Sequence, residues 1–339
     1  MASSPFPIGK LPPEVLARCF SRLRFADERV IVGPRVGEDA AVINFGESCL
    51  VAKTDPITFT AERIGWYAVS INANDVAVMG ARPRWFLATL LLPEGQTDEA
   101  LVRSIFDDIA ATCERLQIAL CGGHTEITHG LDRPIVVGHM LGEAAKDKLL
   151  IKSNVRVGDQ IILTKGIAIE GTAIITRERE NHLKAVLDVK LIERAKNFLH
   201  DPGISVVEEA LLAGEVAPLH AMHDPTEGGL IGGLWEMAQA AGVGLLVAAD
   251  QINILPETEE VCRVFELDPL RLIASGALLI VAPPAECAKV LGAFRERNIT
   301  AKVIGEVKDQ AEGTKIMRDG AVTHFDYPLQ DEIAKIFES

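Results

Sequence analysis

The sequence predicts an α/β or α+β protein of two domains in tandem, and three observations carry that expectation. Strand-like apolar runs alternate with helical stretches in both halves, less regularly than in a doubly wound sheet. A charged, turn-rich stretch near 145–158, AAKDKLLIKSNVRVGD, separates the halves. The length, 339 residues, exceeds what one hydrophobic core usually organises.

Taken in order, Pro5, Pro7, Pro12 and Pro13 make the first dozen residues an extended arm before a short helix. Strands are expected at AAVINF (40–45), CLVAKT (49–54), WFLATLLL (85–92) and PIVVGHMLGEA (134–144). Between them, AERIGWYAVSINANDVAVMG reads as a helix ended by Gly80 and Pro83. DEALVRSIFDDIAATCERLQ reads as a second helix, with a 3.6-residue stripe at 101, 102, 105, 106, 109, 110, 113 and 116. The second half offers strands at IILTKG (161–166), VGLLVAAD (243–250), ALLIVAPP (277–284) and TAKVIGEV (300–307), and a helix is expected around Cys287. Another helix is expected from about Ser205, with a Ser205–Glu208 capping box and a stop at Gly214. The expected division is an arm (1–30), an N-terminal domain (31–150), a C-terminal domain (151–320) and a tail (321–339).

Composition narrows the function. Hydrophobic residues make up 48% and charged residues 24%, an ordinary globular balance. A net charge of −14 argues against a nucleic-acid binder. No apolar run reaches the roughly 18 residues of a membrane span, and MASSPFPIGKLPPEVL lacks a secretion-signal pattern, so a cytoplasmic protein is expected. Cysteines 19, 49, 113, 121, 262 and 287 show no C-x-x-C spacing, which points to buried thiols rather than a zinc knuckle or redox pair.

Five polar islands interrupt this apolar chain: VGEDAAVI with Gly37, Glu38 and Asp39; KTDPIT with Lys53 and Asp55; NANDVAVMG with Asn74 and Asp75; CGGHTEIT with Gly122, Gly123, His124, Thr125 and Glu126; and MHDPTEGGLIGGL with Asp224, Thr226 and Glu227. Singly, each has a structural reading: Asp39 as a turn cap, Asp-Pro at 55–56 and 224–225 as turn chemistry, the Gly pair as a tight bend. Together, Asp39, Asp55, Asp75 and Asp224 place carboxylates at strand ends and within an apolar helix. If they converge, their repulsion calls for a cation, and hard oxygen ligands suit Mg²⁺ shared with a polyphosphate. Backbone N–H groups of the glycine-rich turns and a helix start after Thr226 suit phosphate oxygens. Neither a Walker loop nor a G-x-G-x-x-G fingerprint is present.

GEDAAV, TD, NDVAVMGARP, GGHTE, DPTEGGL and SGALL (275–279), in this order over about residues 33–310, resemble the aminoimidazole ribonucleotide (AIR) synthase superfamily, closest to its hydrogenase-maturation branch, HypE. The resemblance implies an ATP-dependent enzyme of two α/β domains, a homodimer whose N-terminal strands form a shared barrel. It implies that Asp39, Asp55 and Asp75 bind Mg²⁺ and ATP phosphates, that Asn74 precedes the last of these acids, and that Gly122, Gly123, His124 and Thr125 form the nucleotide segment. Asp224 and Thr226 match the motif of the second domain. The implied chemistry activates a carbonyl-type oxygen by phosphorylation, or phosphorylates a small-molecule substrate outright. Lys53 or Lys165 would neutralise the transferred group, and Glu126, Glu170 and Glu227, with His124, would contact substrate or move protons.

The chain departs from the branch in three places. His124 stands where relatives carry an acid, Glu170-Gly171 stands where HypE has His-Gly, and DEIAKIFES replaces a Pro-Arg-Ile-Cys-type tail, so self-modification at a terminal thiol is not expected. The alternatives are a thiamine-monophosphate-kinase-like phosphotransferase, a non-catalytic nucleotide-binding partner in hydrogenase maturation, and a zinc hydrolase using His220, His223 and Asp224. A selenophosphate synthetase is disfavoured, because Lys10 on the arm has no cysteine beside it.

Overall fold

The structure, a computed structural model, describes residue 6 and residues 9–23, 27–58 and 62–337. Pro5 and Pro7 of the expected arm, and the Ala61 that opens the first expected helix, lie outside the described residues. Helix α1 (Pro13–Phe20) starts with proline in its first turn, where no backbone N–H is needed.

One compact unit comprises Asp27–Gly33 and Asp39–Leu149. It carries β1 (Val30–Val32), β2 (Ala41–Phe45), β3 (Ser48–Ile57), α2 (Ile64–Val78), β4 (Arg82–Pro93), α3 (Glu99–Leu116), β5 (Ala119–Thr128) and β6 (Ile135–Ala145). Its sheet runs β1-β2-β3-β6-β4-β5, antiparallel except for the parallel β4–β5 pair. All of residues 64–78 in α2 are buried, as expected of a helix that is apolar around its whole circumference. Helix α2 packs on β3, β6 and α3. That approach is close enough that a Cβ on Gly138 would overlap the Asn72 amide, and one on Gly142 would overlap Val76. Helix α3 is capped by Asp98, which accepts from Leu101 N at 2.8 Å. Its buried stripe is narrower than expected: Ile105, Ile109, Thr112 and Cys113 are buried, whereas Phe106 is exposed.

Two of the turn readings are corrected. Asp55 and Pro56 lie inside β3, paired with Gly138 and Val137, rather than in a turn. Strand β2 pairs β3 only as far as Ala52, so Pro56 falls where one edge of the strand is open to it. The CGGHTEIT island is not a bend but part of β5. Leu120 pairs Phe86 and Gly122 pairs Leu87, which leaves Cys121 as the extra residue of a β-bulge.

The second unit comprises Met1–Ala26, Pro34–Glu38 and Leu150–Ser339. After α1 it carries β7 (Gln160–Thr164), α4 (Ile169–Glu178), α5 (Glu180–Lys184), α6 (Val189–Lys196), α7 (Val207–Val216), β8 (Ala221–His223), α8 (Gly229–Ala241) and β9 (Gly244–Ala248). There follow α9 (Pro256–Phe265), β10 (Leu279–Ala282), α10 (Pro284–Glu296), β11 (Ala301–Lys308), β12 (Thr314–Arg318), β13 (Ala321–His324) and α11 (Ala334–Phe337). The sheet order is β13-β12-β9-β11-β7-β10-β8, antiparallel except for β12 with β9. Leu230, Leu234 and Met237 of α8 pack with Ile161, Val247 and Leu279 of the sheet. A second core joins α4, α6 and α9 through Ile175, Ile192 and Val261, and takes in Ile333 and Ile336 from the C-terminal segment.

The expected capping box does not form. Helix α7 begins at Val207, with Val206 as a cap that makes no side-chain bond, and the Ser205 hydroxyl only reaches Val207 N at 3.5 Å. Glu208 pairs instead with Arg297 at 3.2 Å. The helix also passes through Gly214 and ends at Val216, where Pro218 holds Ala217 in an extended conformation. Among the described residues no helix is long and apolar enough to cross a membrane. Cys49, Cys113, Cys262 and Cys287 are buried thiols, whereas Cys19 and Cys121 are exposed.

Candidate functional site

In the first unit, Lys53 and Asp55 are two residues apart on β3 and so share a face of the sheet. The Lys53 ammonium lies 3.6 Å from Asp55 Oδ2 and 3.2 Å from Oδ1 of Asp75 on α2. Asp75 is 5% exposed and Asp39, ahead of β2, is 6% exposed. The second oxygen of Asp75, Oδ2, is buried and has no hydrogen-bond partner. Burial pushes the Asp75 carboxyl up to about 7; Lys53 pulls it down, while Asp55 and Asp39 push it further up. A buried carboxylate with an orphan oxygen, next to two more acids and one lysine, is a hard-oxygen donor set with unmet demand for a cation. These residues fit a Mg²⁺ ion.

Asn72, one turn before Asp75, was not singled out by sequence for a role. Its amide donates to the Asp55 carbonyl at 3.2 Å and to the Ala68 carbonyl at 2.9 Å, which fixes β3 against α2. The i, i+3 spacing of Asn72 and Asp75 on a helix was the available signal. Asn74 is fully buried in the same helix.

The fourth island is set apart from this group. Strand β5 is the sheet edge, with β6 and β4 between it and β3, a separation of about 14 Å at ordinary strand spacing. His124 and Glu126 are exposed there, with His124 Nε2 3.2 Å from Glu126 Oε2. The Thr128 hydroxyl, then His124, lower the Glu126 carboxyl by hydrogen bonding. Gly123 runs so close to the Ala88 carbonyl that a Cβ would overlap it. Thr125 lies on the same strand, opposite Leu90.

In the second unit, Asp224, Thr226 and Glu227 follow β8 and lead into α8. Gly228 (φ +83°) and Gly229 (φ +63°) take left-handed conformations at the helix start, and a Cβ on Gly229 would lie 2.7 Å from the Leu270 carbonyl. The Thr226 carbonyl accepts from Gly229 N and Ala274 N, and Gly228 N donates to Asp331 Oδ2 at 2.6 Å. Burial pushes the Asp331 carboxyl up to about 6, against three backbone N–H donors. Asp224 is 2% exposed. Gly37 packs against α8, where a Cβ would lie 2.5 Å from the Glu236 carbonyl. Ser275, of the SGALL motif, has a buried hydroxyl with no hydrogen-bond partner. Glu170 is buried in the first turn of α4.

Two sequence readings change here. Lys165 is committed to structure: its ammonium lies 2.5 Å from Glu209 Oε1 and donates to the Gly203 and Ser205 carbonyls at 3.1 and 2.7 Å. The histidines of HAMHD engage different partners, His220 with Asp159 at 2.6 Å and His223 with Glu236 at 3.2 Å, which does not favour a shared zinc ion.

Comparison with known proteins follows this geometry. Residues 37–144 match the N-terminal domain of AIR synthase related proteins, and residues 156–317 match their C-terminal domain. A protein of Methanocaldococcus jannaschii named for hydrogenase expression and formation is 31% identical over 88% of this chain and 88% of its own. Carbamoyl dehydratase HypE of Rhodobacter capsulatus is 29% identical over 90% of this chain and 87% of its own. Thiamine-monophosphate kinase of Pyrococcus horikoshii is 26% identical over 84% and 86%. Among solved structures, a HypE–HypF complex matches with a TM-score of 0.75 at 21% identity, covering 93% of this chain and 99% of that one. A HypE structure in complex with ATP matches at 0.69 and 22% identity, covering 91% and 90%. From residue 37 to residue 317, apart from the segment between its two domains, the chain belongs to the AIR synthase related family.

Proposed function

We propose that the protein is an ATP- and Mg²⁺-dependent enzyme of the HypE type, which activates a carbonyl-type oxygen of a small substrate by phosphorylation. The observation that carries this reading is the orphan oxygen of buried Asp75 beside Asp39, Asp55 and Lys53. Asp39, Asp55 and Asp75 would hold Mg²⁺, which when bound offsets the charge of the triphosphate. Lys53 would then turn toward the phosphoryl group, since its present carboxylate partner would be taken up by the metal. Asn72 keeps β3 and α2 in register for this. The name of the Rhodobacter relative supports a dehydration: the amide oxygen takes the γ-phosphoryl group, ADP leaves, and phosphate then departs with that oxygen as the nitrogen gives up its protons. Asp224 and Thr226 are proposed nucleotide contacts, His124 and Thr125 further contacts, and Glu126, Glu170 and Glu227 proton-transfer or substrate residues.

The test is ADP release with Mg²⁺ and a panel of S-carbamoyl thiols and primary carboxamides, run beside thiamine monophosphate. Turnover with a carbamoyl compound is expected. Turnover with thiamine monophosphate alone would favour the kinase reading, and tight ATP binding without turnover on any substrate would favour a non-catalytic partner in hydrogenase maturation.

A homodimer is part of the proposal. Strand β5 is exposed along nine of its ten residues, with Leu120 42% and Ile127 63% exposed, and a long uncovered edge strand is otherwise an aggregation hazard. Light scattering should give twice the chain mass of 36.6 kDa. Ile127→Asp should shift the protein toward monomer; a monomeric wild type would remove the dimer.

A further inference from the structure

We propose that Asp331, on the C-terminal segment, is a positioning residue for the DPTEGG turn, holding Thr226 in the conformation that meets a nucleotide; this rests on the reading of Thr226 as a nucleotide contact. Asp331 lies beyond residue 317, where the match to the family's C-terminal domain ends, so the resemblance assigns it no role.

The turn cannot hold itself. Gly228 (φ +83°) and Gly229 (φ +63°) are successive glycines, which have the widest backbone freedom, so the turn keeps one shape only if bonds from elsewhere impose it. Two crosslinks tie it to the 273–274 segment. In the first, the Thr226 carbonyl accepts from Ala274 N at 3.2 Å. The Asp331 carboxylate makes the second, with Oδ2 accepting from Gly228 N at 2.6 Å and Oδ1 from Ile273 N at 3.2 Å. Oδ1 also accepts from Ile333 N at 2.8 Å, which fixes the carboxylate on its own segment. Gly229 N donates to the Thr226 carbonyl at 3.0 Å, so both glycine N–H groups are engaged. The turn is closed before any ligand arrives, and what it offers is the Thr226 side chain rather than these two amides.

Anchorage alone does not account for the acid. The segment is already secured by Phe325 in the sheet core, by Ile333 and Ile336 in the second core, and by Tyr327 against Trp235, ring centroids 5.0 Å apart. Pro328 rests on the turn itself, where a Cβ on Gly228 would lie 2.8 Å from its Cγ. Burial pushes the Asp331 carboxyl up to about 6 against its three N–H donors, so at neutral pH a buried charge is kept at a cost that an apolar residue would avoid. Its two oxygens bridge Gly228 and Ile273, and no apolar side chain could fix those two N–H groups relative to each other.

The test compares wild type, the near-isosteric Asp331→Asn and the control Ile192→Val, which thins the core that holds Ile333 without touching the turn. Asp331→Asn sets an amide NH₂ against one of the backbone donors. In the ligand-free full chain, the Gly228 and Ile273 amides should exchange about tenfold faster in Asp331→Asn than in Ile192→Val, read by NMR. Calorimetry with Mg²⁺–ATP should show a loss of affinity of about tenfold in Asp331→Asn. In Ile192→Val the affinity should stay within about twofold, with melting temperatures read alongside. Exchange or affinity unchanged by Asp331→Asn, or equal losses of affinity in the two variants, would overturn the assignment. A wild type that binds no nucleotide would instead overturn the reading of Thr226, and with it the purpose of the turn; the exchange rates would then still decide whether Asp331 holds it.

Discussion

Asp75→Asn is expected to abolish Mg²⁺–ATP binding and, without nucleotide, to make the protein more stable than wild type at pH 8. The two effects have one cause. Burial raises the Asp75 carboxyl from its ordinary 3.8 to about 7. Below 3.8 the group is protonated in folded and unfolded chains alike. Between 3.8 and 7 the unfolded chain releases a proton that the folded chain retains, so folding stability falls as pH rises, and above 7 the loss is complete. The loss is on the order of a few kcal/mol. Asn removes it, so the advantage of the variant in melting temperature should grow between pH 5 and pH 8. Lys53 keeps Asp55, 3.6 Å away, as its partner in the variant. In wild type Mg²⁺–ATP should raise the melting temperature by mass action, and in the variant it should not. Unchanged affinity in calorimetry would remove Asp75 from the metal site. An ionised group held at a cost to the empty protein is what a ligand site requires, since a residue optimised for stability alone would not leave Oδ2 without a partner.

The same residue shows why part of the site was legible in sequence. An acid in a run as apolar as SINANDVAVMG has few benign explanations, and the structure encloses the helix as the run implies. The strand at 85–92 and the helix at 98–117 were equally readable, because period and cap agree locally. What sequence could not supply is long-range approach. Two adjacent glycines read as a bend, yet Gly123 is required by the Ala88 carbonyl across a parallel pair. Ser205 read as a cap, yet its carbonyl is held by Lys165 and its hydroxyl accepts only a long bond from Val207 N, at 3.5 Å. Lys10 read only as a lysine of the arm with no cysteine beside it, and only the fold brings it to Thr226. In each case a local rule lost to a contact whose partner lies far along the chain.

Lys165→Met carries the largest expected effect on stability, about 3–5 kcal/mol in urea unfolding, with nucleotide affinity retained in the folded variant. Sequence offered Lys165, as an alternative to Lys53, for neutralising the transferred group. The structure gives its charge a different task. Its side chain is 9% exposed, that of Glu209 is 5% exposed, and the pair at 2.5 Å is completed by the Gly203 and Ser205 carbonyls. Removing the lysine leaves Glu209 as a buried carboxylate without that cation, which costs far more than the pair itself contributes. Lys165→Met combined with Glu209→Met should therefore recover most of the loss, with about 1–3 kcal/mol remaining because two carbonyls have lost their donor. A phosphate ligand would behave in the opposite way: the single variant would fold normally and lose nucleotide affinity, and the second substitution would restore nothing. The two outcomes separate a structural lysine from a catalytic one on the same pair of variants.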